Sequence, residues 1–87
     1  MQISIDISYY PLHEEYVPPI LSFIQRLRGY TNIRTETNGM STQVFGEYQD
    51  VLSAIVKEME KSFSLPRSVF ILKIINSDLQ IHKSSDE

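Results

Sequence analysis

Ile3, Ile5, Ile7 and Tyr9 alternate with Ser4, Asp6, Ser8 and Tyr10, the two-residue period of a strand with one covered face. Pro11 ends that run, because it brings no N–H to a ladder. Val17, Ile20, Leu21, Ile24 and Leu27 then recur at three- and four-residue steps, which predicts a helix with one apolar stripe. Pro18 and Pro19 fit only in its first turn, where N–H groups lack helical partners anyway. Glu14 and Glu15 precede the positive end of that helix and Arg26 and Arg28 stand at its negative end, with Gly29 expected to close it in a left-handed conformation.

From Asn32 to Thr37 the period returns to two, with Arg34 and Glu36 set against Ile33, Thr35 and Thr37. Asn38-Gly39 is a strong signal for a two-residue hairpin turn, and Ser41 to Tyr48 supplies the returning strand. Asp50 is expected to cap a second helix whose stripe is Val51, Leu52, Ile55, Val56, Met59 and Phe63. Pro66 stops it, and the apolar, β-branched run from Val69 to Ile75, broken by Lys73, reads as a last strand. Beyond Asn76 the chain turns polar, and its end is expected to fray from about Ser84. The order strand, helix, strand, strand, helix, strand predicts one α+β domain over residues 1–83, with a polar end over 84–87. Its topology is ferredoxin-like βαββαβ: a four-stranded antiparallel sheet, first and third strands central, both helices on one face. That fold hosts many functions and selects none of them.

Composition narrows the chemistry. Eighty-seven residues suit one domain with a modest core, which self-association would enlarge. With no cysteine there is no disulfide scaffold, thiolate zinc site or thiol nucleophile. Eight basic residues stand against 11 acidic ones for a net charge of -3, which argues against nucleic acid as a partner. No apolar run approaches the roughly 18 residues of a membrane helix. No signal-peptide pattern is visible, so neither a membrane association nor export is expected and a cytoplasmic protein is the default. His13 and His82 form no metal-ligating spacing, and Ser41 and Thr42 lack the glycines of a nucleophile elbow. Glycine-rich nucleotide loops are absent too. An acylphosphatase, which shares the topology, needs an arginine-bearing phosphate loop after the first strand, where Pro11-Leu12-His13-Glu14-Glu15 is acidic. Neither an enzyme nor a resident cofactor is expected.

A sheet covered by helices on one face leaves the other open, and Ser4, Asp6, Ser8 and Tyr10 point there. If Val44 packs under the helices, Ser41, Gln43, Phe45 and Glu47 share that open face. Carboxylates, hydroxyls, an amide and an aromatic plate suit a small, flat, polar or cationic ligand. Outward positions of any two-layer domain show the same alternation.

Two segments carry a resemblance. Ile7-Ser8-Tyr9-Tyr10-Pro11-Leu12 resembles the Ser-x-Tyr-Pro-Leu/Met signature of the YkoF-like thiamine-binding family. Gly39-Met40-Ser41-Thr42-Gln43-Val44-Phe45-Gly46 resembles its second signature, small-apolar-Ser-Thr-x-Val-x-Gly, and the order of elements fits over nearly the whole chain. The resemblance implies a ferredoxin-like domain that binds thiamine or its hydroxymethylpyrimidine precursor without chemical change, and a homo-oligomer, dimer or tetramer. By that likeness Ser8, Tyr10, Ser41, Thr42 and Gly46 are motif members. Charge logic adds Asp6 and Glu47, and the open face adds Gln43 and Phe45. The ligand-binding candidates are thus Asp6, Ser8, Tyr10, Ser41, Thr42, Gln43, Phe45 and Glu47. The alternative is an oligomerisation or regulatory module that uses the open face for contact alone.

Overall fold

The computed structural model describes residues 1–80; the end expected to fray from Ser84 lies outside them. The elements are β1 (Gln2–Pro11), α1 (Val17–Arg28), β2 (Ile33–Thr37), β3 (Thr42–Glu47), α2 (Tyr48–Ser62) and β4 (Ser68–Ile75). The strands form one antiparallel sheet in the order β2-β3-β1-β4, so β1 and β3 are central as the sequence predicts. The fold is ferredoxin-like α+β.

The alternation in β1 decides what is covered. Ile3, Ile5 and Ile7 are almost completely buried under the helices, together with Val44 from β3 and Ile33 from β2. Phe23, Leu27, Val51, Ala54 and Ile55 close the core from above. Tyr9 and Phe70 stack at 4.2 Å beside it, and Phe23 meets Tyr9 edge-on at 5.5 Å.

Both helices are rotated from their expected stripes. In α1 the buried residues are Phe23, Ile24 and Leu27, while Val17 and Leu21 are about half exposed. In α2 Val56 faces outward while Ala54, Glu58 and Ser62 turn inward with Val51 and Ile55, and Phe63, just past the helix, stays half exposed with its ring edge-on to Phe70 at 5.5 Å. The cause is an ionic seam between the helices. Arg26 Nε donates to Glu58 Oε1 at 2.7 Å, Arg26 Nη2 donates to Ser62 Oγ at 2.8 Å, and the Tyr30 hydroxyl donates to Glu58 Oε2 at 2.7 Å. A polar trio satisfied across the interface can occupy an inner face that apolar counting assigns to Val56.

Three helix and turn signals resolve differently from their local expectation. Gly29 is right-handed (φ -72°, ψ -14°), and α1 ends by tightening: the Gly29 N–H donates to the carbonyls of Gln25 and Arg26 and the Tyr30 N–H to Leu27. The cap of α2 is Glu47, whose side chain accepts from the Gln49 N–H, and Asp50 sits in the first turn. Consequently β3 stops at Glu47, and Tyr48 already belongs to the helix. Asn38-Gly39 does not form the left-handed two-residue turn. Thr37 pairs with Thr42, leaving a four-residue loop held by the Asn38 side chain, whose Oδ1 accepts from the Met40 and Ser41 N–H groups at 2.7 and 3.1 Å. That side-chain bonding replaces the tight turn. A Cβ at position 39 would meet nothing within 4 Å.

The glycine the fold does require is Gly46, at φ +153° in β3. A Cβ there would lie 3.2 Å from Val51 Cγ2 and 3.5 Å from the Asn32 carbonyl oxygen. The end of β3 thus passes directly beneath α2, with little room for a Cβ and at a φ that side chains rarely adopt.

Candidate functional site

After β4 the chain does not leave the sheet. Ser4 Oγ donates to the Ser77 carbonyl at 2.6 Å and accepts from the Leu79 N–H at 2.8 Å. Arg34 Nη2 meets Asp78 Oδ2 at 2.7 Å, and Gln80 Nε2 donates to Glu36 Oε1 at 3.2 Å. The segment 76–80 is therefore a strap that crosses the open face from β4 to β2. It accounts for the burial of Ser4 and Phe45, which stand opposite each other on β1 and β3 on the face away from the helices.

Strap and sheet border a half-open cavity of about 450 Å³. Phe45 and Ser4 lie on its floor, Ile75 and Leu79 give it apolar walls, and Asp6, Glu36, Gln43 and Lys73 bring polarity. Register explains the grouping, because Gln43 is the β3 partner of both Asp6 and Glu36, and Lys73 is the β4 partner of Asp6. The volume and mixed lining suit a compact ring-bearing molecule.

Asp6 is the organised group. Its Oδ1 accepts from Ser41 Oγ at 2.6 Å and from Gln43 Nε2 at 2.9 Å, and Gln43 also reaches Ser41 at 2.9 Å. The bonds from Ser41 and Gln43 hold the carboxyl below its usual range, against a smaller opposing push from burial and with help from the Lys73 charge. Asp6 is an anion near neutral pH, with a second oxygen that takes no hydrogen bond from the described residues. Chemically, the arrangement offers a fixed negative charge beside an aromatic face.

Of the eight candidates read from sequence, Asp6, Gln43 and Phe45 line this cavity and Ser41 positions Asp6. Ser8 lies on the same face opposite Ile71, and Tyr10 opposite Val69, farther along β1 and outside the cavity lining. Thr42 is buried on the helix side, its Oγ1 3.2 Å from Thr37 Oγ1. Its parity with Val44 already implied that side. Glu47 is at the opposite end of β3, where it bonds the Met1 ammonium and caps α2. The ammonium, then the Gln49 N–H, hold its carboxyl below the usual range. Glu36, Lys73, Ile75 and Leu79 escaped sequence reasoning. Glu36 and Lys73 followed from strand parity once the register was known; Leu79 had no local signal.

Among the described residues, no group of three or more His, Asp or Glu is placed to hold a metal ion, and no helix is long and apolar enough to cross a membrane.

No protein-family model and no curated protein matches the sequence. Solved structures do. A protein from Streptococcus pneumoniae superposes with a TM-score of 0.83 at 17% identity, covering 91% of this chain and 90% of that one. A Thermotoga maritima protein provisionally assigned to thiamine biosynthesis or salvage gives 0.81 at 17% identity, covering 93% and 91%. A domain of unknown function from Bacillus cereus gives 0.69 at 14% identity, covering 100% and 86%. At such identities the likeness establishes a shared fold.

Proposed function

We propose that the chain is a non-enzymatic binding protein of the YkoF-like type, holding thiamine or its hydroxymethylpyrimidine precursor in the cavity on the open face. The observation that carries this reading is Asp6, a carboxylate kept ionised by Ser41 and Gln43 at the edge of a ring-sized cavity with Phe45 beside it. A thiazolium ring bears a fixed positive charge that such a carboxylate attracts, and an aromatic face adds to the attraction. Three further facts support the assignment: both signature segments, the shared fold, and the provisional thiamine role of the Thermotoga maritima protein.

Calorimetric titration tests it. A partly desolvated contact between Asp6 and the ligand's charge is worth roughly 1–3 kcal/mol, so Asp6→Asn is expected to weaken thiamine binding about 5- to 150-fold. The neutral pyrimidine precursor should lose much less. Equal losses for both ligands would remove the electrostatic part of the reading, and no binding of either by the parent protein would remove all of it.

A second reading draws on the exposed apolar side chains of the same face. Val69, Ile71 and Ile75 on β4 are 41–53% exposed, on an edge strand that natural proteins tend to cover. They favour a homo-oligomer, dimer or tetramer, with or without ligand. Light scattering is expected to give a multiple of the 10.1 kDa chain mass; a monomer at micromolar concentration would refute it.

A further inference from the structure

Four side chains of the open-face cavity stand in a single row across the sheet. Glu36 of β2 is paired with Gln43 of β3, Gln43 with Asp6 of β1, and Asp6 with Lys73 of β4. All four line the cavity. Neighbouring strands lie about 4.8 Å apart, so the row runs about 14 Å between its outer backbones. Along it the charge is negative, neutral, negative and then positive.

The two ends of the row offer opposite chemistry. At the β2 end, Glu36 Oε1 accepts from Gln80 Nε2 at 3.2 Å, and no described residue donates to its second oxygen. At the β4 end, Lys73 takes part in no hydrogen bond and no ion pair among the described residues. Its charge reaches Asp6 only as the last and smallest of the influences on that carboxyl. Asp6 is held from the β3 side, by Ser41 and Gln43, and does not close on the ammonium. An ammonium left open on the wall of a cavity is a counter-charge for an anionic group of the occupant.

We propose that the occupant carries such a group beyond its cationic ring, and that Lys73 selects the phosphate ester of thiamine over the free alcohol. The inference rests on the reading of the cavity as a thiamine site. Thiamine presents in line an amine on its pyrimidine, a cationic thiazolium ring and a hydroxyethyl arm. Laid along the row, the amine meets Glu36, the thiazolium meets Asp6 and the arm reaches Lys73. A free hydroxyl there gives the ammonium a neutral acceptor, whereas a phosphate gives it a charged one. Asp6 then anchors both ligands, and Lys73 tells them apart.

Calorimetric titration of the whole chain with thiamine and with thiamine monophosphate, at one fixed ionic strength, tests the assignment. The parent protein is expected to bind the ester about 5-fold more tightly, as befits one solvent-exposed charge pair. Lys73→Met should bring the ratio of the two affinities to one or below, and Lys73→Arg should keep it above one. Lys73 is exposed on an edge strand, so neither variant disturbs the core. Affinity for thiamine equal to or above that for its ester in the parent would overturn the proposal and leave thiamine binding intact. A preference that survives Lys73→Met would overturn it as well. Binding of neither ligand by the parent would remove it together with the reading it rests on.

Discussion

Replacing Arg26 with methionine is expected to lower the stability of the domain by about 3 kcal/mol near neutral pH, because removing one partner of a buried ion pair strands the other. The Glu58 side chain is only 3% exposed, against 27% for Arg26, so the stranded charge has little water to turn to. Burial pushes the Glu58 carboxyl up, but the bonds from Tyr30 and Arg26 and the charges of Lys61 and Arg26 outweigh it and leave the group below its ordinary value of 4.5. A carboxyl depressed in the folded state contributes stability above its unfolded value and loses that contribution as pH falls through the depressed one. In the variant the balance reverses, burial dominates and the carboxyl moves up. The deficit should therefore shrink as the solution is acidified, first as Glu58 protonates in the variant at a pH above 4.5, and fully only once the pH falls through the depressed value below 4.5 in the parent. Urea unfolding of parent and variant at neutral and acid pH measures this. A deficit unchanged by pH would mean that Arg26 acts through the packing of its stem.

Gly46→Val should be about as damaging, with a loss on the order of 2–4 kcal/mol. A φ of +153° is strained for any residue with a Cβ, and more so for a β-branched one. The new atom would also crowd Val51 Cγ2 at 3.2 Å, which must yield slightly, while the Asn32 carbonyl at 3.5 Å stays in ordinary contact. Gly46→Ala carries the same backbone strain with less bulk and should fall between parent and valine variant. Thermal melts of the three proteins check the order. An alanine variant as stable as the parent would show that β3 can relax to an ordinary extended conformation there.

What the sequence revealed and what it hid separate by the range of the interactions. The strand β1 was legible because its period is written in neighbouring residues, and so were the order of elements and the centrality of β1 and β3. The faces of the helices were half legible. Apolar spacing located α2, but Glu58 reaches inward because Arg26 and Tyr30 meet it from 32 and 28 residues away, and no local window contains that trio. Asn38-Gly39 signalled a turn correctly and its type wrongly, since an Asn side chain that bonds two following amides serves as well as a left-handed backbone. At the candidate site, Asp6, Ser41 and Gln43 follow from strand parity plus one pairing, which is why charge and alternation found them. The strap does not, because Ser77 and Leu79 bond Ser4 across more than 70 residues with nothing periodic to announce it.

That strap makes the face sensitive to ionic strength in two opposed ways. The Arg34–Asp78 pair that helps to pin it is well exposed, 45% and 35% by side chain, so it contributes on the order of 1 kcal/mol or less and weakens as counter-ions screen it. Salt thus loosens the cover over Phe45 and quickens passage in and out of the cavity. The same ions weaken the long-range pull of Asp6 on an approaching cation. Dissociation rates for a cationic occupant should rise steadily with salt, while association rates, pushed both ways, should change far less.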